Sequence, residues 1–347
     1  MIPPLPAPVS SLRPLATPGS TRLRPSGRLD HDLLVRFARS PGSMKLGVVG
    51  MGWVGSSVAA SILHKGVASE LLLSDVREEL AEGEAMDLAH GASFYPTASV
   101  RSASIDEMID AEAVIIAAGK SGGPKDSRLD LLRVNAAIVH DVATRLRGMR
   151  GLLVIVTNPV DVMTQVAAEA SGLPYARVIG TGTMLDTARL RATLGRTLDI
   201  EPRSIHAQVV GEHGDSEVVL WSGARLAGVP LRDWPGWTRD RERAIASEVR
   251  TAAYEIIARK GATNHAIGLV TAALLNWTLS GARRIVTVSR VQEGVAGLHD
   301  VAISLPTIVS AEGAVEVIEP QLDTEEREAL ARSAEVLRHA YRDARPT

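Results

Sequence analysis

Residues 211–218 read "GEHGDSEV", a turn-forming, charge-rich octet in which His213 follows Glu212 directly and stands two places before Asp215. The apolar run "IHAQVV" precedes it. Gly and Asp are common at strand-end turns for backbone reasons alone, so a surface turn is one reading. A titrating base at the mouth of a site is the other, because an imidazole exchanges its proton near neutral pH. A metal ligand set with Glu212 and Asp215 is a third reading. No second His stands at helical metal spacing and no H-E-x-x-H occurs, so no metal is expected. In "GTGTMLDTARLRATLG" (180–195), Asp186 and Arg189 are three apart and share a helix face. They read either as a surface ion pair or as two tools, with Asp186 partnering a base and Arg189 gripping a carboxylate through its planar fork. Arg128, in "AAGKSGGPKDSRLDLLRVN" (117–135), opens a helix, where the dipole disfavours a cation; such local misfits mark functional positions. Asn158 in "VTNPV" (156–160) lies at a strand end and reads as a crevice-rim residue or as part of an Asn-Pro turn.

A second group binds rather than reacts. "VVGMGWVGSSVAA" fits G-x-G-x-x-G at Gly50, Gly52 and Gly55, between a strand and a helix. The first glycine permits the tight turn, the second lets backbone approach a pyrophosphate, and the third lets helix and strand pack closely. Asp75 stands twenty residues past Gly55, at the end of the second strand. An acid there accepts the adenosine ribose hydroxyls and repels a 2′-phosphate, which favours NAD over NADP.

The elements that must position these residues alternate. Short β-rich runs at 45–50, 71–75, 113–119 and 152–158 are separated by helix-length segments at 53–65, 77–90 and 130–148. Near-continuous apolar strands between helices predict a doubly wound parallel sheet of Rossmann type covered on both faces, that is, an α/β fold. After about residue 180 longer helices (184–197, 239–259, 265–280 and 324–342) and β-rich pieces at 204–210, 217–221, 284–291 and 301–318 read as an α+β substrate domain. The expected organisation is an extension over 1–43, a dinucleotide-binding domain over 44–180 and a catalytic domain over 181–347. The extension carries six Arg and two Asp and holds eight of the eighteen prolines, a composition that reads as disordered. An upstream start adding a leader before Met44 is favoured over a transit peptide. With a net charge of −2 over 347 residues, neither nucleic acid nor an anionic membrane is expected as partner. No apolar run approaches the ~18 residues of a membrane span, and the absence of Cys excludes disulfides and thiol chemistry.

Taken in order, "GMGWVGSS", "AEGEAMDLAHG", "AAGK…DSRLDLLRVN", "TNPVDV", "IGTGTMLDTARLR", "GEHGDSEV" and "KGATNHAIG" resemble the L-lactate/L-malate dehydrogenase family, most closely its lactate branch, over about residues 44 to 340. The resemblance implies that His213 is the acid/base of hydride transfer between NAD and a 2-hydroxy acid, with Asp186 on its other ring nitrogen. It further implies that Arg128 polarises the reacting carbonyl from a mobile loop, Arg189 binds the substrate carboxylate, Asn158 holds the substrate oxygen, and Thr263 lines the pocket. Cofactor contacts are expected from Gly50, Gly52, Trp53, Val54, Gly55, Asp75, Gly119, Asn135, Thr157, Asn158 and Ile267. In this family the residue six before the loop arginine sets substrate choice, and here it is Gly122, in place of Gln or Arg. Glycine supplies no cation for a second carboxylate, so pyruvate and lactate lead, with malate or a broad range of 2-oxo acids as the alternative; Lys120 or Lys125 is the residue that would restore the charge. Arg191 and His206 match positions where some bacterial lactate dehydrogenases bind fructose 1,6-bisphosphate between subunits, and a strand histidine with a surface arginine is the plainer reading. A homotetramer (or homodimer) in the cytoplasm is the expected assembly. A dinucleotide-binding protein without turnover is the alternative from another class, and the presence of all four charged residues speaks against it.

Overall fold

The computed structural model describes residues 44–120, 122 and 127–345. The Pro/Arg-rich extension and Lys125 therefore lie outside the described residues. Strands β1 (Lys45–Val49), β2 (Glu70–Ser74), β4 (Ala113–Ile116), β5 (Leu152–Ile155) and β6 (Val178–Gly180) pair in parallel, with β3 (Ser99–Ser102) at the edge beyond β2. Their order, 3-2-1-4-5-6, is that of a doubly wound dinucleotide fold. β1, β2, β4 and β5 are apolar on both faces because helices cover both. One apolar layer gathers Leu46, Val48, Ile62, Leu71, Ile115 and Leu275, the other Val114, Ile116, Val139, Met163 and Leu305.

The helices follow from their ends as much as from their faces. α1 (Trp53–Lys65) stops at Gly66, whose left-handed backbone (φ 67°) returns its N–H to Ile62 and Leu63 carbonyls. α2 (Glu78–His90) carries acids in its first turn. α3 (Arg128–Arg145) starts at Ser127, whose hydroxyl oxygen accepts the Asp130 N–H at 3.1 Å. It begins two residues earlier than expected, which makes Arg128 its first residue. Within residues 44–180, three strands and helices went unpredicted: edge strand β3, β6, and α4 (Val160–Ser171), a helix buried on nearly every side. β4 and β5 also end sooner than expected, so Ala118, Gly119 and Asn158 belong to the loops at their carboxyl ends.

The second half departs from expectation in one respect. β12 (Arg284–Glu293), β13 (His299–Ser310) and β14 (Gly313–Val317) do not form a separate sheet; β12 pairs antiparallel with β6 at Ser289 and Gly180, extending one sheet to nine strands. The segment 301–318 is thus parts of two strands rather than one. Short strands β7 (Ile205–His206), β8 (Val209–Val210), β9 (Val218–Val219), β10 (Arg225–Leu226) and β11 (Val229–Pro230) build two small antiparallel sheets. With α5 (Met184–Leu198) and α6 (Arg239–Lys260) they enclose a smaller core of Leu190, Leu194, Ile205, Trp221 and Ile245. α7 (His265–Leu279) packs on α1, and α8 (Thr324–Ala344) on α3 and α4. No helix among the described residues is long and apolar enough to cross a membrane.

Candidate active site

The carboxyl ends of β1, β2, β3 and β4 open on a groove of about 1430 Å3 lined by Gly50, Gly52, Trp53, Val54, Asp75, Gly119 and Lys120, among others. The tight turn after β1 requires its glycines. Gly50 has φ +95°, and a Cβ there would lie 2.4 Å from the Ala118 backbone. A Cβ on Gly55 would lie 1.7 Å from the Gly50 carbonyl oxygen, whereas one on Gly52 would meet nothing within 4 Å. The first and third glycines are thus spent on backbone packing, and the second leaves open space at the amino end of α1, where a phosphate is stabilised. Asp75, one residue past β2, accepts the Met51 N–H at 2.7 Å and the Arg77 N–H at 3.0 Å, which fixes its carboxylate at the groove wall.

Asn135 and Thr157 serve the groove from beneath. Asn135 accepts the Lys120 N–H (2.7 Å) and donates to the Asn158 carbonyl (2.9 Å), while the Thr157 hydroxyl donates to the Ala118 carbonyl (2.7 Å). Both are buried, and together they tie the loops after β4 and β5, leaving Gly119 and Asn158 exposed. Ile267 packs, half-buried, against the apolar layer beneath α1. Thr263 stands in the turn between α6 and α7, beside the groove-lining Gly261 and Ala262. A Cβ on exposed Gly122 would come within 2.8 Å of Leu131 Cδ1, so an aliphatic side chain from α3 stands where the missing one would point.

The charged residues converge at the start of α5. His213 Nδ1 lies 2.5 Å from Asp186 Oδ2, and Arg189 Nη1 donates to Asp186 Oδ1 at 2.7 Å. The pair is not on a solvated surface, since Asp186 is buried: its carboxylate pairs with the arginine through one oxygen and with the imidazole through the other. Arg189 commits one of its five donors, and the planar fork retains others for a ligand carboxylate. The His213 turn is pinned from behind. Its backbone N–H donates to Asp161 Oδ2 at 2.8 Å, and Gly211 bridges Ser304 of β13 through two backbone hydrogen bonds. Tyr254 of α6 donates to Asp215 at 2.8 Å, and the Arg128 guanidinium beside that hydroxyl brings the first residue of α3 to the same side as His213.

This arrangement moves His213 well away from an ordinary histidine. Burial disfavours its charged form, but the Asp186 carboxylate, by charge and hydrogen bond, and the Asp161 carboxylate outweigh that and raise the imidazole to about 9. The carboxylate thus holds the proton on the ring more firmly than water would on a free imidazole. Asp186 responds in the opposite sense: burial works against its charge, but the imidazolium and Arg189 prevail and lower it. Two buried acids that sequence reasoning did not single out complete the site. Asp161 is pushed to about 6 by burial, against the pull of the His213 N–H and charge. Glu217 is pushed to about 8 by burial and the Asp186 charge. The one sequence signal for each is an acid inside an otherwise apolar run, "VDVM" and "EVVLW".

Residues 44–180 match the description "lactate/malate dehydrogenase, NAD binding domain", and residues 183–345 match "lactate/malate dehydrogenase, alpha/beta C-terminal domain". The chain belongs to the lactate/malate dehydrogenase family. It is an oxidoreductase of the lactate dehydrogenase type, and its cofactor is NAD, which the open space at Gly52 and the carboxylate of Asp75 both fit. It is 45% identical to the L-lactate dehydrogenase of Thermus aquaticus over 304 residues, 86% of this chain and 98% of that one. It is 41% identical to that of Salinibacter ruber, over 86% and 96% of the two chains. A crystal structure of the minor L-lactate dehydrogenase of Enterococcus mundtii in the ligands-bound form superposes with a TM-score of 0.85 at 37% identity, covering 88% of this chain and 99% of that one.

Outside the groove, Arg191 Nε donates to the carbonyl of Ala207 at 2.9 Å, directly after exposed His206. Burial and the neighbouring Arg284 charge lower the Arg191 pKa.

Proposed function

We propose that the protein is an NAD-dependent L-lactate dehydrogenase that reduces pyruvate to L-lactate. The observation that carries the reading is the shared carboxylate of Asp186, with His213 on one oxygen and Arg189 on the other. That geometry holds a proton donor and a carboxylate clamp at adjacent positions, as reduction of a 2-oxo acid requires. Bound along the groove, NADH would supply the hydride to the carbon of the 2-oxo group, and NAD would accept it from the hydroxyl-bearing carbon in the reverse direction. Gly50, Gly52 and Gly55 would hold its pyrophosphate and Asp75 its adenosine ribose. Arg189 binds the substrate carboxylate, and Arg128 polarises the carbonyl oxygen on which negative charge develops. His213, protonated at neutral pH by virtue of Asp186, gives its Nε2 proton to that oxygen, leaving a neutral ring whose Nδ1–H stays on Asp186. In the reverse direction the neutral ring must accept the hydroxyl proton, so lactate oxidation gains as pH rises toward 9 and pyruvate reduction is favoured below it.

Substrate choice follows from Gly122 and Leu131. A glycine beside an aliphatic methyl offers a second carboxylate no partner and suits the methyl of pyruvate. The test is NADH oxidation at 340 nm with pyruvate, oxaloacetate, 2-oxoisocaproate and phenylpyruvate. The highest kcat/KM with pyruvate supports the reading; oxaloacetate in first place would overturn the substrate assignment. NADH binding with no turnover of any 2-oxo acid would favour the non-catalytic alternative. A fructose 1,6-bisphosphate effector at Arg191 and His206, a homotetramer (or homodimer) and a cytoplasmic location belong to the same proposal; the nearness of the Arg191 and Arg284 charges supports the effector. An unchanged pyruvate saturation curve with the sugar bisphosphate at pH 6 and 7 would remove the effector from it.

A further inference from the structure

The proposed reaction makes no use of Glu217, a buried acid four residues beyond His213. Glu217 is 6% exposed, and its Oε1 has no hydrogen-bond partner among the described residues. Among the charged groups that act on it are Asp186 and Arg189 from α5, His213 from its own turn, and Arg250 from α6. The other acids nearby are committed. Glu212 takes the Ser216 hydroxyl and its N–H (3.1 Å), Asp215 takes the Tyr254 hydroxyl, and Glu326 of α8 takes the Ser222 N–H at 2.8 Å. Beyond Glu326, the group that α8 directs at this turn is the Ser333 hydroxyl, which accepts the Glu212 N–H and meets Ser216 Oγ at 3.0 Å. A carboxyl buried this deeply with an unpaired oxygen is disfavoured in its charged form, and it lies in the field of the pair that must receive an anion.

We infer that Glu217 is a proton-linked positioning residue for substrate binding: neutral, it leaves the Arg189 charge to Asp186 and the incoming carboxylate; ionised, it opposes that carboxylate. The inference rests on the proposed reaction, because it takes Arg189 as the carboxylate clamp. The sign follows from like charges. A bound anion raises the Glu217 pKa, so binding favours the protonated acid, and affinity falls as pH rises through the Glu217 pKa of the free enzyme. Each unit by which the anion raises that pKa weakens binding about tenfold once the acid has ionised. The loss occurs near pH 8, below the pH of about 9 at which His213 loses its proton. Two ionisations, not one, therefore govern how the enzyme holds a 2-oxo acid.

Oxamate, a carboxylate analogue of pyruvate that accepts no hydride, isolates binding from turnover. Its affinity for the full-length enzyme with NADH, read from nucleotide fluorescence between pH 6.5 and 9.5, is expected to fall in two steps, about tenfold near pH 8 and again near pH 9. In Glu217→Gln and in Glu217→Met the first step disappears. The KM for pyruvate follows the same pattern, while the pH profile of kcat keeps the single His213 ionisation. A wild-type profile with the upper step alone overturns the inference, and so does persistence of the lower step in either variant that folds. If the wild type binds NADH but neither binds oxamate at any pH nor turns over pyruvate, the reading of the site itself falls, and the two failures are told apart.

Discussion

Replacing Asp186 by Asn tests whether the carboxylate sets the His213 pKa or only the ring orientation. The substitution keeps the shape and one acceptor but removes the negative charge 2.5 Å from Nδ1. That charge and hydrogen bond are the largest influences holding the imidazole near 9 against burial. Without them the pKa returns to the ordinary value of about 6.5 or below, a shift of at least ~2.5 units, on the order of 3 kcal/mol of coupling. At pH 7.5 the protonated fraction then drops from nearly all to roughly a tenth. Pyruvate reduction falls at least about tenfold at that pH, and the variant recovers part of the deficit as pH is lowered toward 6. The assay is kcat/KM for pyruvate from pH 5.5 to 10, with NADH affinity as the control for folding. A uniform loss, with the wild-type midpoint retained, would refute the electrostatic argument and leave Asp186 an orienting role only.

Gly122→Arg places a cation where Leu131 now ends, and is expected to raise kcat/KM for oxaloacetate relative to pyruvate by about 100-fold; an unchanged ratio from the 340 nm assay would show that this position does not face the substrate. Gly55→Ala drives a methyl into the Gly50 carbonyl, so NADH affinity is expected to fall about tenfold and stability by ~1–3 kcal/mol. Wild-type values in a fluorescence titration and a thermal melt would mean that the turn adapts freely. For Asp161, burial lifts the folded-state pKa from 3.8 to about 6, so ionising it across that interval weakens the fold. Asp161→Asn keeps an acceptor for the His213 N–H and is expected to raise the Tm above pH 6 while costing activity severalfold; a lower Tm at pH 7.5 would contradict this.

The candidate site residues stood out in the sequence because they sit in turns and at helix starts where local backbone needs do not explain them: an imidazole in a glycine turn, an arginine at the amino end of α3. The glycine turn after β1 was legible because its spacing answers a steric demand, now visible in the contacts a Cβ would make at Gly50 and Gly55. What escaped was set by packing between distant segments. α4 shows no polar stripe, since nearly all of "VDVMTQVAAEAS" is enclosed. β3, "SVRS", is a half-exposed edge strand without apolar alternation. β12 and β13 were visible as strands, but nothing within them names β6 as their neighbour. Asp161 and Glu217 read as ordinary acids until the fold surrounds them. Leu131, nine residues from Gly122, becomes relevant only because the fold brings its side chain within reach of that glycine.

The antiparallel joint between β6 and β12 bears on how this chain can be altered by recombination or design. Severing the chain after Gly180 would leave β6 with a bare row of amides and carbonyls, an invitation to pair with another molecule. The later half would in turn lose the strand against which β12 is laid, and with it the register that carries Ser304 to Gly211 and so fixes the His213 turn. The NAD-binding part and the part that carries His213 are therefore poor candidates for exchange as independent modules. Chimaeras that cross over in surface loops, leaving all nine strands from one parent, are the ones expected to fold and turn over.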